Sequence, residues 1–144
     1  MKASRALVLL LAASAWACAQ QPTQPSSASS PASSPRHEHA KLDYAQYVTR
    51  AVGMFSFSSL YDWDSNDPSH AVVWTTPLQA YRLTLLGPCF DLQNAPIIAL
   101  TSQGGTVTAG LDSVLVRNER CGIQSIDKLD AKAIRAARKQ KPEG

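Results

Sequence analysis

Residues 71–86, AVVWTTPLQAYRLTLL, decide the fold class of this chain. Val72 and Trp74 share one face of the first run, and Tyr81 and Leu83 share one face of the second. Side chains two positions apart point to the same side of an extended strand. The proline in the connecting TPLQ stretch has a fixed φ that suits a turn. The segment therefore predicts a β-hairpin.

Shorter runs with a period of two lie on both sides of this hairpin. They are residues 55–61, 96–101, 106–109, 113–117 and 122–126. Gly104 and Gly105 tolerate the positive φ of a tight turn, so we expect 96–101 and 106–109 to pair as a second hairpin. The last two runs predict a third hairpin, with Cys121 in its connection.

Two segments have the spacing of helices. Residues 41–52, KLDYAQYVTRAV, place apolar side chains at helical intervals and end at Gly53. Residues 129–140 form a second amphipathic run. The predicted fold class is α+β, mainly β: a small curled or barrel-like antiparallel sheet of five to seven strands with a helix at each end. We expect one domain over residues 41–144, including the basic C-terminal helix.

The first 17 residues have the composition of a signal peptide. Lys2 and Arg5 precede the apolar run ALVLLLAASA, which is too short to cross a bilayer as a helix. We therefore expect residues 1–17 to direct export and to be removed. Residues 18–40, rich in Ser, Pro and Gln, predict a flexible tether because such a tract buries little apolar area.

Cys18 stands at the predicted cleavage site. Ala15-Trp16-Ala17 before it resembles a bacterial lipobox, in which the cysteine becomes the acylated first residue. The alternative is an ordinary A-x-A site at residues 17–19 that discards Cys18. The first interpretation predicts a lipoprotein on the periplasmic side of the outer membrane, and the second predicts a soluble periplasmic protein.

The chain has three cysteines, and either fate of Cys18 leaves Cys89 and Cys121 as a pair. The periplasm permits disulfide bonds. Closing a loop of this size stabilises a domain by about 3–4 kcal/mol on the chain-entropy model. A metal site or a redox pair is the alternative, but neither cysteine belongs to a C-x-x-C motif or stands beside a histidine.

Charge is distributed unevenly along the chain. Residues 55–127 hold three cationic and seven acidic side chains, whereas residues 128–141 hold six cationic side chains and one acidic. Clustered cations favour an anionic envelope component, a membrane surface or an acidic protein. The alternative is a helix whose charges remain in water. The candidate binding residues are Lys128, Lys132, Arg135, Arg138 and Lys139.

We find no motif of an enzyme, a cofactor site or a nucleic-acid-binding protein. His70 lies in a stretch that we interpret as a solvated loop, and no serine has a G-x-S-x-G context. Residues 62–67, DWDSND, are interpreted as a turn, with a calcium loop as the alternative. His37 and His39 are interpreted as linker residues, so no metal site is expected.

Trp63, Trp74 and Tyr81 either form an aromatic contact surface or belong to the core.

Several motifs in order resemble the domain-of-unknown-function family 6491, whose members are small exported proteins or lipoproteins. These are VVWT, AYRLTLLGPC, IALTSQGG, VLVR and CGIQSI, and the resemblance covers about residues 42–137. It implies export, a compact domain and pairing of Cys89 with Cys121, and it implies no activity. The sequence thus predicts an exported, lipid-anchored, non-catalytic envelope protein. The alternative is a periplasmic domain that binds a small ligand or a metal.

Overall fold

The computed structural model describes residues 32–35 and 41–140, with only the backbone described for 32–35. Ten strands and one α-helix lie in this range. They are β1 (Ala32–Pro35), β2 (Val48–Val52), β3 (Met54–Ser56), β4 (Asp62–Asp67), β5 (His70–Thr76), β6 (Gln79–Leu85), β7 (Ile97–Leu100), β8 (Thr106–Thr108), β9 (Ser113–Val116), β10 (Glu119–Leu129) and α1 (Ala131–Gln140). Short 3₁₀ turns form at Tyr44–Tyr47 and Leu92–Asn94.

Seven strands follow one another in the order β1-β7-β9-β10-β6-β5-β4, and every neighbouring pair is antiparallel. β1 lies beside β4, so the two ends of the sheet approach each other and the sheet nearly closes. β3 and β8 form a separate two-stranded sheet. The predicted barrel-like antiparallel sheet, mainly β, is confirmed.

β10 is the longest strand and has neighbours on both edges. Its first four residues pair with β9, and its later residues pair with β6 on one side and β2 on the other. The alignment with β6 shifts between Ile123 and Ser125. β10 therefore joins strands β1, β7 and β9 to strands β6, β5 and β4 in one sheet.

Both faces of the central strands are covered. Trp63, Val73, Leu83 and Ile126 belong to a large buried cluster on the inner face of the sheet. Val72, Trp74, Ala80 and Leu129 belong to a second cluster on the outer face, beneath Ile134 of α1. Successive residues of a strand point to opposite faces, so β5 supplies both clusters.

The hairpin predicted over residues 71–86 is confirmed as β5 and β6, with Val73 opposite Tyr81. The C-terminal helix is confirmed as α1. Asp130 begins it, because its Oδ1 accepts a hydrogen bond from the Ala133 backbone N–H at 2.9 Å. Such a cap satisfies one of the unpaired donors of a helix N-terminus.

The helix expected at residues 41–52 is wrong. The segment forms the 3₁₀ turn Tyr44–Tyr47, where the Asp43 side chain accepts from the Ala45 N–H, and then continues as β2. β2 gains backbone hydrogen bonds from β10, with Val52 opposite Ile126. The β-branched residues of this segment also fit a strand better than a helix. Tertiary pairing therefore overrides the local helical spacing.

Three further expectations about local structure are wrong. Residues 62–67 form strand β4 instead of a turn. The turn at Gly104 and Gly105 does form, with Gln103 bridged to Thr106. The strands on its two sides do not pair with each other, however, because β7 pairs with β1 and β9, and β8 pairs with β3. Cys121 lies within β10 opposite Val114, not in a connection.

The signal peptide predicted at residues 1–17, the lipidation site Cys18 and residues His37 and His39 lie outside the described residues. Of the tether predicted over residues 18–40, only 32–35 are described, and these form β1 against β7. In the described part of the chain, no helix is long and apolar enough to cross a membrane.

Candidate functional site

The first candidate site is a charged cluster between α1 and the outer face of the sheet. We name it the Arg138 cluster, and it comprises Tyr44, Asp62, Asp64, Trp74 and Arg138. The Arg138 guanidinium carbon lies 4.4 Å from the centroid of the Trp74 ring. Its Nη1 lies 3.7 Å from an Asp62 carboxylate oxygen, and its Nη2 lies 4.0 Å from one of Asp64. A cation over an indole face, neutralised by two carboxylates, is a stable arrangement when shielded from water.

Tyr44 completes this cluster. Its hydroxyl donates a hydrogen bond to the Asp64 carboxylate and accepts one from Arg138 Nη2 at 3.0 Å. Its ring packs edge-on against Trp74, with the centroids 5.9 Å apart. Burial raises the pKa of the Tyr44 phenol well above its usual value, and the adjacent Asp64 carboxylate raises it further. Tyr44 therefore remains a neutral hydrogen-bond donor.

The alternation of β4 explains how two aspartates come to be buried. Asp62 and Asp64 point to the outer face, opposite Trp74 and Val72 of β5, while Trp63 between them points inward. Each carboxylate also accepts a hydrogen bond from the next backbone N–H along the chain, at 2.8 and 2.7 Å. Buried carboxylates need such partners to offset lost hydration.

These contacts fasten α1 to the sheet. Arg138 and Tyr44 are 94 positions apart, so the cluster joins the C-terminal helix to the segment before β2. Within the described residues, Arg138 Nε is buried and has no hydrogen-bond acceptor. The remaining donors of the guanidinium are directed at groups of this protein, so the cluster is better suited to hold the fold than to bind a ligand.

The second candidate site is an open cleft of about 240 Å³, which we name the His70 cleft. It is lined by Asp43, Tyr44, Ala45, Asn66, Asp67, His70 and Arg82. His70 Nδ1 lies 2.9 Å from Asp67 Oδ1. Arg82 donates through Nη2 to Asp127 at 2.7 Å. His70, expected in a solvated loop, instead begins β5.

The His70 cleft combines cationic and anionic groups. A carboxylate that accepts from histidine Nδ1–H leaves Nε2 as an acceptor or metal ligand. Asp43 and Asp67 add carboxylates, and Arg82 adds a cation at the wall. The arrangement suits a small polar molecule that carries both charges. Its acidic and histidine side chains do not have the mutual spacing of three metal ligands, so a metal ion here would take most of its ligands from water.

The third site surrounds the disulfide between Cys89 and Cys121, whose Cα atoms are 5.9 Å apart. A Glu119 carboxylate oxygen lies 3.4 Å from Cys89 Sγ and accepts from the Asp91 N–H at 3.2 Å. Cys89, Glu119 and Cys121 have the spacing of a metal site. A thiolate is needed to bind a metal, however, and both sulfurs are consumed in the bond.

The five predicted anion-binding residues do not form one surface. Lys132, Arg135 and Lys139 lie exposed on α1. Arg138 belongs to the cluster described above. Lys128 lies in β10 opposite Tyr81, whose ring is in the inner cluster, so it lies on the other face of the sheet from α1.

The aromatic contact surface considered for Trp63, Trp74 and Tyr81 is wrong, because all three side chains are buried. The exposed large apolar side chains near the disulfide are instead Leu86, Phe90 and Leu111, which are 68, 72 and 75 % exposed.

Sequence reasoning missed the Arg138 cluster. The one available signal was the D-W-D alternation at 62–64, which has the period of a strand.

Comparison with known proteins gives one match. A family model described as "Family of unknown function (DUF6491)" matches residues 1–144. No curated protein and no solved structure matches the chain.

Proposed function

The chain belongs to the DUF6491 family of unknown function, and we propose that it is an exported, non-catalytic envelope protein, anchored by lipid on Cys18, that serves as an interaction or structural domain. The observation that carries the interaction or structural role is the filled interior of the sheet. Its inner face is packed with large apolar side chains such as Trp63, Leu83 and Ile98. Side chains thus occupy the space inside the sheet, which leaves its surface for contacts with partners.

The chemistry of the Arg138 cluster supports a non-catalytic role. A general acid or base works best when its pKa lies near the working pH. The pKa of the Tyr44 phenol is raised, and its hydroxyl is engaged with Asp64 and Arg138. The cluster thus favours stability over proton transfer.

The surface near the disulfide supports a role in binding another molecule. Leu86 lies against the backbone of Gly122, and Leu111 follows Gly110, whose N–H donates to the neighbouring Ile123 carbonyl. Because successive carbonyls of a strand point to opposite edges, Leu86 and Leu111 flank this stretch of β10 from its two sides. Leu86 and Leu111, each more than two-thirds exposed, are the apolar side chains that a contact at this end of the sheet would bury.

The anchor rests on the sequence around Cys18. The short apolar run before it and the Ser/Pro/Gln-rich tract after it are typical of a signal peptide followed by a tethered lipoprotein. The proposed location is the periplasmic side of the outer membrane, with the soluble periplasm as the alternative.

Intact mass of the protein purified from its native membranes tests the proposal. We expect a chain that begins at Cys18 with added acyl mass, and the Cys18→Ser variant should leave the membrane fraction. A chain that begins at residue 19 or 20 would overturn the anchor. Retention of residues 1–17 in the native protein would overturn export.

The His70 cleft favours a second function, the binding of a small ligand or a metal. Its histidine is oriented by Asp67 and lies within reach of solvent. Binding to the native state raises thermal stability. We therefore compare melting of dialysed protein with and without Zn²⁺ or Ca²⁺, using His70→Gln as the control. A shift in the native chain that His70→Gln abolishes would favour this function, and equal melting would exclude both ions.

A further inference from the structure

Three cationic side chains lie exposed along one side of α1. Lys132, Arg135 and Lys139 are spaced at i, i+3 and i+7, which places them on the same face of a helix. We name them the α1 cationic face. Within residues 41–140, none of them has an ion pair. Their charges are therefore available to a partner.

The scaffold holds this face in a fixed orientation. Ala131 and Ile134 are buried against the outer face of the sheet, and Arg138 is held over Trp74. A helix fixed at both ends loses little conformational freedom when it binds, which favours affinity. The other exposed side chains of α1 are Ala136, which is too small for insertion into a bilayer, and Gln140, which is polar. The face therefore suits electrostatic contact with a flat anionic surface.

The number of residues between β1 and Cys18 limits how far α1 can lie from a membrane that holds the anchor. β1 lies beside β4, and β4 carries the two carboxylates next to Arg138. Ala32 follows Cys18 by fourteen positions. At about 3.5 Å per residue, that length spans at most about 50 Å. A membrane that holds Cys18 is thus within reach of α1.

We propose that the α1 cationic face binds the anionic phospholipid headgroups of the membrane in which the chain is anchored. This inference rests on the proposed lipid anchor, which would hold the domain at a membrane. The charges that bind the headgroups come from α1 alone. One acyl chain with a cationic patch binds a membrane more firmly than either signal alone. Each cation near an anionic surface strengthens binding by about fivefold.

Vesicle co-sedimentation of the full chain carrying Cys18→Ser tests the headgroup contact without the acyl group. The probes are vesicles of phosphatidylcholine alone and of phosphatidylcholine with about one-third phosphatidylglycerol. The test variant combines Lys132→Gln, Arg135→Gln and Lys139→Gln. The control combines Arg50→Gln, Arg117→Gln and Arg120→Gln, which removes the same charge from exposed sites elsewhere.

We expect vesicle binding to require phosphatidylglycerol and to weaken with salt. The apparent affinity for the vesicles should fall at least tenfold in the α1 variant but less than threefold in the control. Equal loss in the two variants would overturn the proposal, because net charge alone would then explain binding. Binding that ignores phosphatidylglycerol would also overturn it, as would capture by an acidic protein without vesicle binding. Intact mass of the native protein reports separately on the anchor, so the two proposals fail distinguishably.

Discussion

The side chain of Arg138 lies on the face of Trp74, with 4.4 Å between the guanidinium carbon and the ring centroid. This contact joins the last turns of α1 to the middle of β5. The carboxylates of Asp62 and Asp64 lie beside the same guanidinium. Arg138 therefore balances two buried negative charges and also holds the helix on the sheet.

Removal of Arg138 should destabilise the domain strongly. Arg138→Ala leaves Asp62 and Asp64 buried without their cation, and we expect a loss of about 3 kcal/mol in the free energy of unfolding. Arg135→Ala, on the exposed side of the same helix, should change it by less than about 0.5 kcal/mol. Urea denaturation measures both. Equal midpoints for the two variants would show that the Arg138 cluster contributes no stability.

Tyr44 should make stability depend on alkaline pH. Because its pKa is higher in the folded than in the unfolded protein, the folded state holds the phenol proton more tightly. The resulting stability is fully present below about pH 10, the pKa of the unfolded residue, and is lost as the pH rises above it. Tyr44→Phe should flatten this alkaline decline in thermal melting curves. A decline of unchanged slope in the variant would assign it to another group.

The disulfide should contribute about 3–4 kcal/mol to stability. Cys89→Ser combined with Cys121→Ser opens a loop between residues separated by 32 positions. We expect a lower urea midpoint and no further change in the variant when reductant is added. Reductant should lower the midpoint of the unmodified protein towards that of the variant. A midpoint insensitive to reductant would contradict a structural role for the bond.

Gly104 and Gly105 offer a matched pair of substitutions. Both have positive φ, at 59° and 77°, where a Cβ costs about 1–2 kcal/mol. A Cβ at Gly105 would also lie 2.8 Å from the Phe57 carbonyl oxygen, whereas one at Gly104 meets nothing within 4 Å. Gly105→Ala should therefore destabilise the domain by at least about 1 kcal/mol more than Gly104→Ala. Equal unfolding free energies would exclude the backbone contact as the cause.

Local sequence predicted the elements whose determinants are local. The β5–β6 hairpin has its own turn at Thr76–Gln79 and its own alternation, and α1 has its own apolar side. β2 was misassigned because its partner, β10, lies more than seventy positions away in the chain. No pattern within residues 41–52 reports that partner.

The Arg138 cluster was hidden for a related reason. Aspartates close together usually mark solvated turns. Asp62 and Asp64 become buried because Arg138 and Tyr44 supply a cation and a hydroxyl from distant segments. The exposed cations of α1 were identified from composition, but their separation from Arg138 and Lys128 depends on how the helix docks.

β10 also has a consequence for the order in which the protein acquires structure. A chain that emerges N-terminus first presents β2 and β6 more than thirty residues before β10, the strand that both require, and β9 directly before it. The nascent chain therefore remains without its central ladder until residues 119–129 emerge, and such long-range pairing is slow. Until β10 is in place, the unfinished chain stays open to chaperones.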